Sequence, residues 1–286
     1  MKKVSVIVIT ALLLIGSHMA YLIAGKNDIH IETKQNSETY FLEIKKGIDL
    51  IEMEKLSDLR VDEYFLLKKI KEKRSLQNIN LKTLKKQFAD DPFKRLTYKN
   101  DIVSDIKIER KDVVSAIGEN FNGNFYSVTS TGGSFGAWND ILVKALYCDI
   151  SKYDSQDFFV LNLMHKQNGG YFDTHFLLAL MLLKENKCWE EIKINEQIEK
   201  VSRDIIKAIE NDKSFGDLYS ERIVFLYWAG YGDEIKKEWI EWIKNNFDAE
   251  YGWQDERKPG LNMHTTGLSL LAMIYFDEKE NKQSIY

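Results

Sequence analysis

The chain has 286 residues, 44% hydrophobic and 29% charged, which is enough for one large helical domain with a sizeable core. Two prolines and 16 glycines leave few breaks, and a composition rich in Leu, Ile, Lys and Glu suits helices joined by short polar turns, so little or no sheet is expected. A formal net charge of -4, with lysines and acids interspersed, excludes the basic field that nucleic acid requires.

Lys2 and Lys3 precede an apolar run, Val4 to Ile15, that resumes after Gly16-Ser17-His18 and ends at Gly25. This segment is expected to meet a membrane. The 22 residues from Val4 to Gly25 match a hydrocarbon layer of roughly 30 Å, the reading of an uncleaved anchor. A secretory signal peptide is the alternative, although His18 before Ala20 and Ile23 before Gly25 make poor cleavage sites. Either way the lysine pair stays in the cytoplasm and the rest is exported: single-pass at the cell membrane, or secreted if cleaved. Residues 1–25 are thus the membrane segment, 26–38 a polar linker, and 39–286 the folded domain.

In the first half of that domain, Tyr40, Ile44, Ile48 and Ile51 share one face of a helix expected over 39–55. Leu66, Leu67 and Ile70 do the same over 61–73, and shorter helices are expected over 81–88 and 111–121. From residue 122 a repeat emerges. Phe135-Gly136, Gly170-Tyr171, Phe215-Gly216 and Gly252-Trp253 are glycine-aromatic turns, and each precedes a markedly apolar helical stretch. The spacing (136 to 170, 170 to 216, 216 to 252) leaves room for two helices per repeat.

The helices after these turns differ from those between them. Phe176 to Leu183 is apolar without interruption, so it is expected to be buried on every face. Between the runs, Ile194, Ile198, Val201, Ile205 and Ile209 form one stripe on a charged helix, and Ile235, Trp239, Trp242 and Ile243 form another. Such alternation suits an inner ring of helices wrapped by an outer one. The expected fold is therefore all-α: an alpha/alpha toroid, complete or incomplete, after an N-terminal membrane helix.

The segment Gln167-Asn168-Gly169-Gly170-Tyr171, with Thr174 and Leu177 to Leu180, resembles the repeat of prenyltransferases and squalene or terpenoid cyclases. Tyr251-Gly252-Trp253-Gln254, with His264-Thr265-Thr266 and Leu268 to Ala272, resembles it again. The resemblance covers roughly residues 120 to 277 and implies an alpha/alpha toroid around a central cavity. It implies no catalytic residue, because the cyclase DxDD tetrad is absent, the nearest run being Asp90-Asp91-Pro92-Phe93, and neither cysteine has the prenyltransferase zinc setting.

In such a ring the polar starts of the inner helices converge on one mouth. The candidate catalytic residues are Asp173, His175 and His264, an acid-base set for a glycosidic or ester bond. The candidate ligand-binding residues are Trp138, Asn139, Asp140, Tyr171, Tyr219, Glu221, Arg222 and Trp253, with the aromatics as stacking walls. The alternative for each is structural: helix caps, solvated charges and turn packing. No metal and no cofactor is expected, since a zinc set of His175, His264 and Asp173 draws no support from spacing. Export allows Cys148 and Cys188 to bridge, while two buried free thiols satisfy the same positions.

The leading expectation is a membrane-tethered extracytoplasmic toroid that binds an extended or apolar ligand, such as a cell-surface glycan, at its mouth. A polysaccharide hydrolase or lyase and a non-catalytic scaffold for a partner protein are the alternatives.

Overall fold

The computed structural model describes residues 40–54, 56, 59–85, 88, 93, 95–96, 142–149, 169–212, 214–254 and 261–283. The expected membrane segment and linker, the helix over 111–121, the first glycine-aromatic turn, and Trp138, Asn139 and Asp140 lie outside the described residues. In chain order the helices are α1 (40–53), α2 (Val61–Lys73), α3 (Leu81–Lys85), α4 (142–146), α5 (Tyr171–Glu185), α6 (Glu191–Asn211), α7 (Asp217–Trp228), α8 (Lys237–Asn245) and α9 (Met263–Gln283). Among the described residues the sheet is one antiparallel pair, β1 (Phe247–Asp248) with β2 (Gly252–Trp253). This is an all-α chain, and no described helix is long and apolar enough to cross a membrane.

Four helices, α5, α7, α9 and α2, pack side by side in that order and run in one direction. Contacts from start to start and from end to end set the direction. The first turns of α5 and α7 meet through Tyr171 and Asp217, whose hydroxyl and carboxylate are hydrogen-bonded. Along α7 and α9 the Ser220 and Ser269 hydroxyls are bonded at 2.8 Å, and near the end of α7 the Trp228 indole donates to the Tyr275 hydroxyl at 2.9 Å. Between α9 and α2, His264 faces Asp62 at the starts, while Arg74 meets Asp277 and Lys73 meets Glu278 at the ends.

The outward helices carry one apolar stripe each, as their periodicity requires. On α6 the buried positions are Ile194, Ile198, Val201, Ile205 and Ile209, with Ser202 among them, and the helix lies against α5 and α7. Each of these aliphatic side chains contributes about 1.5–3 kcal/mol on burial. On α8 the expected stripe needs correction. A 3-10 turn, Gly232–Glu234, precedes the helix, and the buried face is Trp239, Ile240 and Ile243. Trp242 falls off the edge of that face and is 42% exposed.

The uninterrupted run of α5 also differs from expectation in one respect. Phe176, Leu177, Ala179, Leu180, Leu182 and Leu183 are buried, but Leu178 and Met181, one turn apart, are only half-buried. They pack in part against the core and in part line a cavity, so one side of this helix is apolar without being fully covered by protein.

The Gly252-Trp253 turn acts as a joint. At Gly252 the backbone has φ 72°, and a Cβ there would stand 2.9 Å from the Thr266 hydroxyl oxygen. That hydroxyl donates to the Trp253 carbonyl at 3.2 Å and accepts the Trp253 N–H at 3.3 Å, clipping the turn onto α9. The Trp253 indole donates to the Ile243 carbonyl at 2.7 Å, and Gly47 of α1 lets the two helices close around its ring.

Cys148, just past α4, and Cys188, just past α5, are joined in a disulfide with their Cα atoms 5.9 Å apart. The seam is reinforced by the Asn186 amide, which donates to the carbonyls of Ala145 and Leu146 at 3.2 and 3.1 Å.

Candidate functional site

The parallel run of the four helices brings their first turns together at one end. There Glu221 of α7, 4% exposed, lies between two imidazoles. His264 Nε2 of α9 stands 3.6 Å from Glu221 Oε2, and His175 Nδ1 of α5 stands 3.7 Å from Glu221 Oε1. His264 Nδ1 in turn stands 3.0 Å from Asp62 Oδ2 of α2, which also meets the Arg60 guanidinium at 2.9 Å. His175 is held by its own helix, its Nδ1 lying 2.7 Å from the Tyr171 carbonyl. The start of α9 is capped by Asn262, whose side-chain oxygen accepts the N–H groups of His264 and Thr265 at 3.0 and 3.2 Å.

Charge in this array is fixed by its neighbours. Burial alone would pull the His264 imidazole down, but the carboxylates of Asp62 and Glu221 against its two nitrogens push it up from 6.5 to about 10. Burial opposes ionisation of Glu221 as well, and His264, His175 and the Thr174 hydroxyl together hold it below the usual carboxylate range. Asp62 is likewise held low by His264 and Arg60 against the effect of burial. His264 is therefore an imidazolium at neutral pH. A proton held this firmly is poorly matched to general acid-base transfer, which works best with a pKa near the working pH.

The remaining expected residues take other places. Asp173 is buried in the first turn of α5. Tyr171 is half-buried, its hydroxyl bonded to Asp217. Tyr219 and Trp253 are 4% and 0% exposed, so neither offers a ring face to a ligand, and the expectation that they form stacking walls is corrected. Their rings are core: Trp253 packs edge-on against Phe247, and Tyr219 lies beside Phe215. Arg222 turns to the α6–α7 connection, where it pairs with Asp212 at 2.6 Å. Among the described residues no three His, Cys, Asp or Glu side chains form a group that could hold a metal ion.

A cavity of about 1090 Å³ lies toward the other end of the same helices, between their middles and their last turns. All four helices contribute half-buried apolar side chains to its wall: Phe65 of α2, Leu178 and Met181 of α5, Trp228 of α7 and Tyr275 of α9. Leu146 and Trp189 extend that wall on either side of the disulfide. The opening is charged, with Lys184, Glu185 and Lys187 at the end of α5 and Glu191 at the start of α6. No protein-family model, curated protein or solved structure matches this chain.

Asp62 and the cavity wall are the functional candidates that the sequence pattern did not single out. Asp62 was visible only as an acid in the first turn of an ordinary amphipathic helix, the usual place for one. The cavity wall left no separate trace, since Leu178 and Met181 continue the same apolar run as Leu177 and Leu180.

Proposed function

We propose that this chain is an alpha/alpha toroid, complete or incomplete, held at the outer face of a membrane by residues 1–25, and that it binds an extended or apolar ligand. The reading rests on the cavity of about 1090 Å³ whose wall is built from all four parallel helices, a volume at the upper end of those that hold small ligands. The parallel central helices with amphipathic helices outside them support the ring. The Cys148–Cys188 disulfide supports export, since such bonds persist in oxidising compartments.

The ligand site lies at the helix ends and not at the starts, where the sequence pointed. The array of Asp62, His264, Glu221 and His175 favours a hydrolase or lyase as a second reading, because a buried carboxylate between two imidazoles is a catalytic type of arrangement. The binding reading is preferred, since the proton on His264 is held too firmly for neutral-pH transfer. An open cavity also argues against a filled barrel serving as a scaffold for a partner protein.

The test is retention of a native ligand. The full chain is placed in lipid nanodiscs, and small molecules that stay bound are identified by native mass spectrometry for wild type and for Met181→Arg, which puts a long charged side chain into the cavity. Wild type is expected to carry bound mass that Met181→Arg lacks, both proteins having the same far-ultraviolet circular dichroism. Equal ligand content in both proteins overturns the reading.

A further inference from the structure

Resting on the binding reading above, the geometry points to a hydroxyl-rich glycan of near-zero net charge as the ligand, stacked on an aromatic band formed by Phe65, Trp228 and Tyr275, and we propose this as the site's specificity.

The band is built and held. Phe65 meets Trp228 edge-on with ring centroids 5.6 Å apart, and Trp228 is backed by Phe225 at 5.1 Å. The Trp228 indole N–H is spent on the Tyr275 hydroxyl, and Tyr227 lies 5.3 Å from the Tyr275 ring. These rings are half-buried, so their orientations are set by packing while part of each stays open to the cavity. Two of them already receive a positive group. Lys69 Nζ sits 5.6 Å from the Phe65 centroid and Lys73 Nζ 5.6 Å from the Tyr275 centroid. These rings thus attract groups of positive charge, and each lysine covers part of its ring beside the part that lines the cavity. The C–H face of a pyranose ring carries that polarity and matches an aromatic platform in size.

The charges around the band select against a net-charged ligand. Lys69 is paired with Glu72 at 3.1 Å, Lys73 with Glu278 at 2.8 Å, and Arg95 with Asp149. The other charged side chains of the wall alternate in sign along the chain, Lys184, Glu185, Lys187 and Glu191, with Glu185 also acting on Arg95. Donors and acceptors in alternation suit hydroxyl groups, each of which donates and accepts. A ligand with one strongly charged head would need one sign of charge in excess, and a purely aliphatic chain would leave this polar opening without partners.

The test uses full-chain protein in nanodiscs and defined probes: hexasaccharides of β-1,4-linked glucose and of N-acetylglucosamine, an acidic uronic-acid hexasaccharide, and a single-chain acyl carboxylate. Binding is read by saturation-transfer NMR and titration calorimetry. The expected result is transfer to the sugar C–H protons of a neutral probe, with affinity falling about fivefold to tenfold in Tyr275→Leu and in Phe65→Leu, the range of one lost aromatic contact. The exposed double variant Lys184→Met/Lys187→Met lies outside the core and is expected to weaken the same probe about threefold. Met53→Ala, on exposed α1 surface, serves as the control. Binding of only the acidic or the acyl probe, with the same dependence on Tyr275 and Phe65, overturns the glycan assignment and leaves the binding reading standing. No dependence of any probe on these residues overturns both.

Discussion

The Nδ1 atom of His264 stands 3.0 Å from the carboxylate of Asp62, so the first turn of α9 is tied to the first turn of α2 across nearly the whole length of the domain sequence. Glu221 closes the other side of the imidazole, and three helices share one proton-bearing ring.

Stability is expected to depend on pH through this ring. His264 is raised from 6.5 to about 10 in the folded protein, so its contribution is fully present below pH 6.5 and is lost as pH rises through 10. Asp62 and Glu221 are lowered from 3.8 and 4.5, so their contributions are present above those values and fade as pH falls below them. The melting temperature should therefore form a plateau between the two limbs and decline on the alkaline side from pH 6.5 to 10. His264→Gln should flatten the alkaline limb; an unchanged alkaline slope in that variant would sink the assignment.

The disulfide closes a chain separation of 40 residues. Loop-closure entropy makes such a bridge worth about 4 kcal/mol. Cys148→Ser/Cys188→Ser, or wild type under reductant, should lose about that much in urea unfolding and should bind ligand more weakly, because Leu146 and Trp189 in the cavity wall flank the bridge. Identical unfolding midpoints with and without reductant would contradict this.

Two glycines with positive φ separate backbone strain from crowding. Gly230, at φ 91°, has nothing within 4 Å of the place a Cβ would take, whereas Gly252, at φ 72°, would set one 2.9 Å from Thr266. Gly230→Ala should cost about 1 kcal/mol from backbone strain alone. Gly252→Ala should cost more, about 3 kcal/mol, because it also breaks the clip between the turn and α9. Chemical denaturation of the two variants checks the order, and equal losses would mean that the clip contributes nothing.

Much of the scaffold was legible from periodicity. The stripe on α6 reads directly from Ile194, Ile198, Val201, Ile205 and Ile209, and the span Val61–Lys73 is both the patterned and the observed helix. The grouping of His175, Glu221 and His264 followed from helix starts in register. What periodicity cannot separate is a helix face against protein from a helix face against a cavity, since Leu178 and Met181 read like Leu177 and Leu180. Nor does it tell which turn aromatics point inward. Trp253 is wholly enclosed by α1, α8 and α9, contacts that arise from chain segments far apart in sequence.

The shared direction of α2, α5, α7 and α9 has an electrical consequence. Each helix carries about half a positive charge at its start and half a negative one at its end, and four aligned helices add instead of cancelling. The returning helices α6 and α8 run the opposite way outside them, so the gathered poles act locally at each end of the four. Asp62, Asp173, Asp217 and Glu221 occupy the first turns or lie close to them, where the positive poles gather, and Lys73 and Lys184 occupy last turns, where the negative poles gather. On α2 and α5 the side chains answer the backbone at both ends, and a domain built this way presents a different field to each neighbour depending on which end it turns outward.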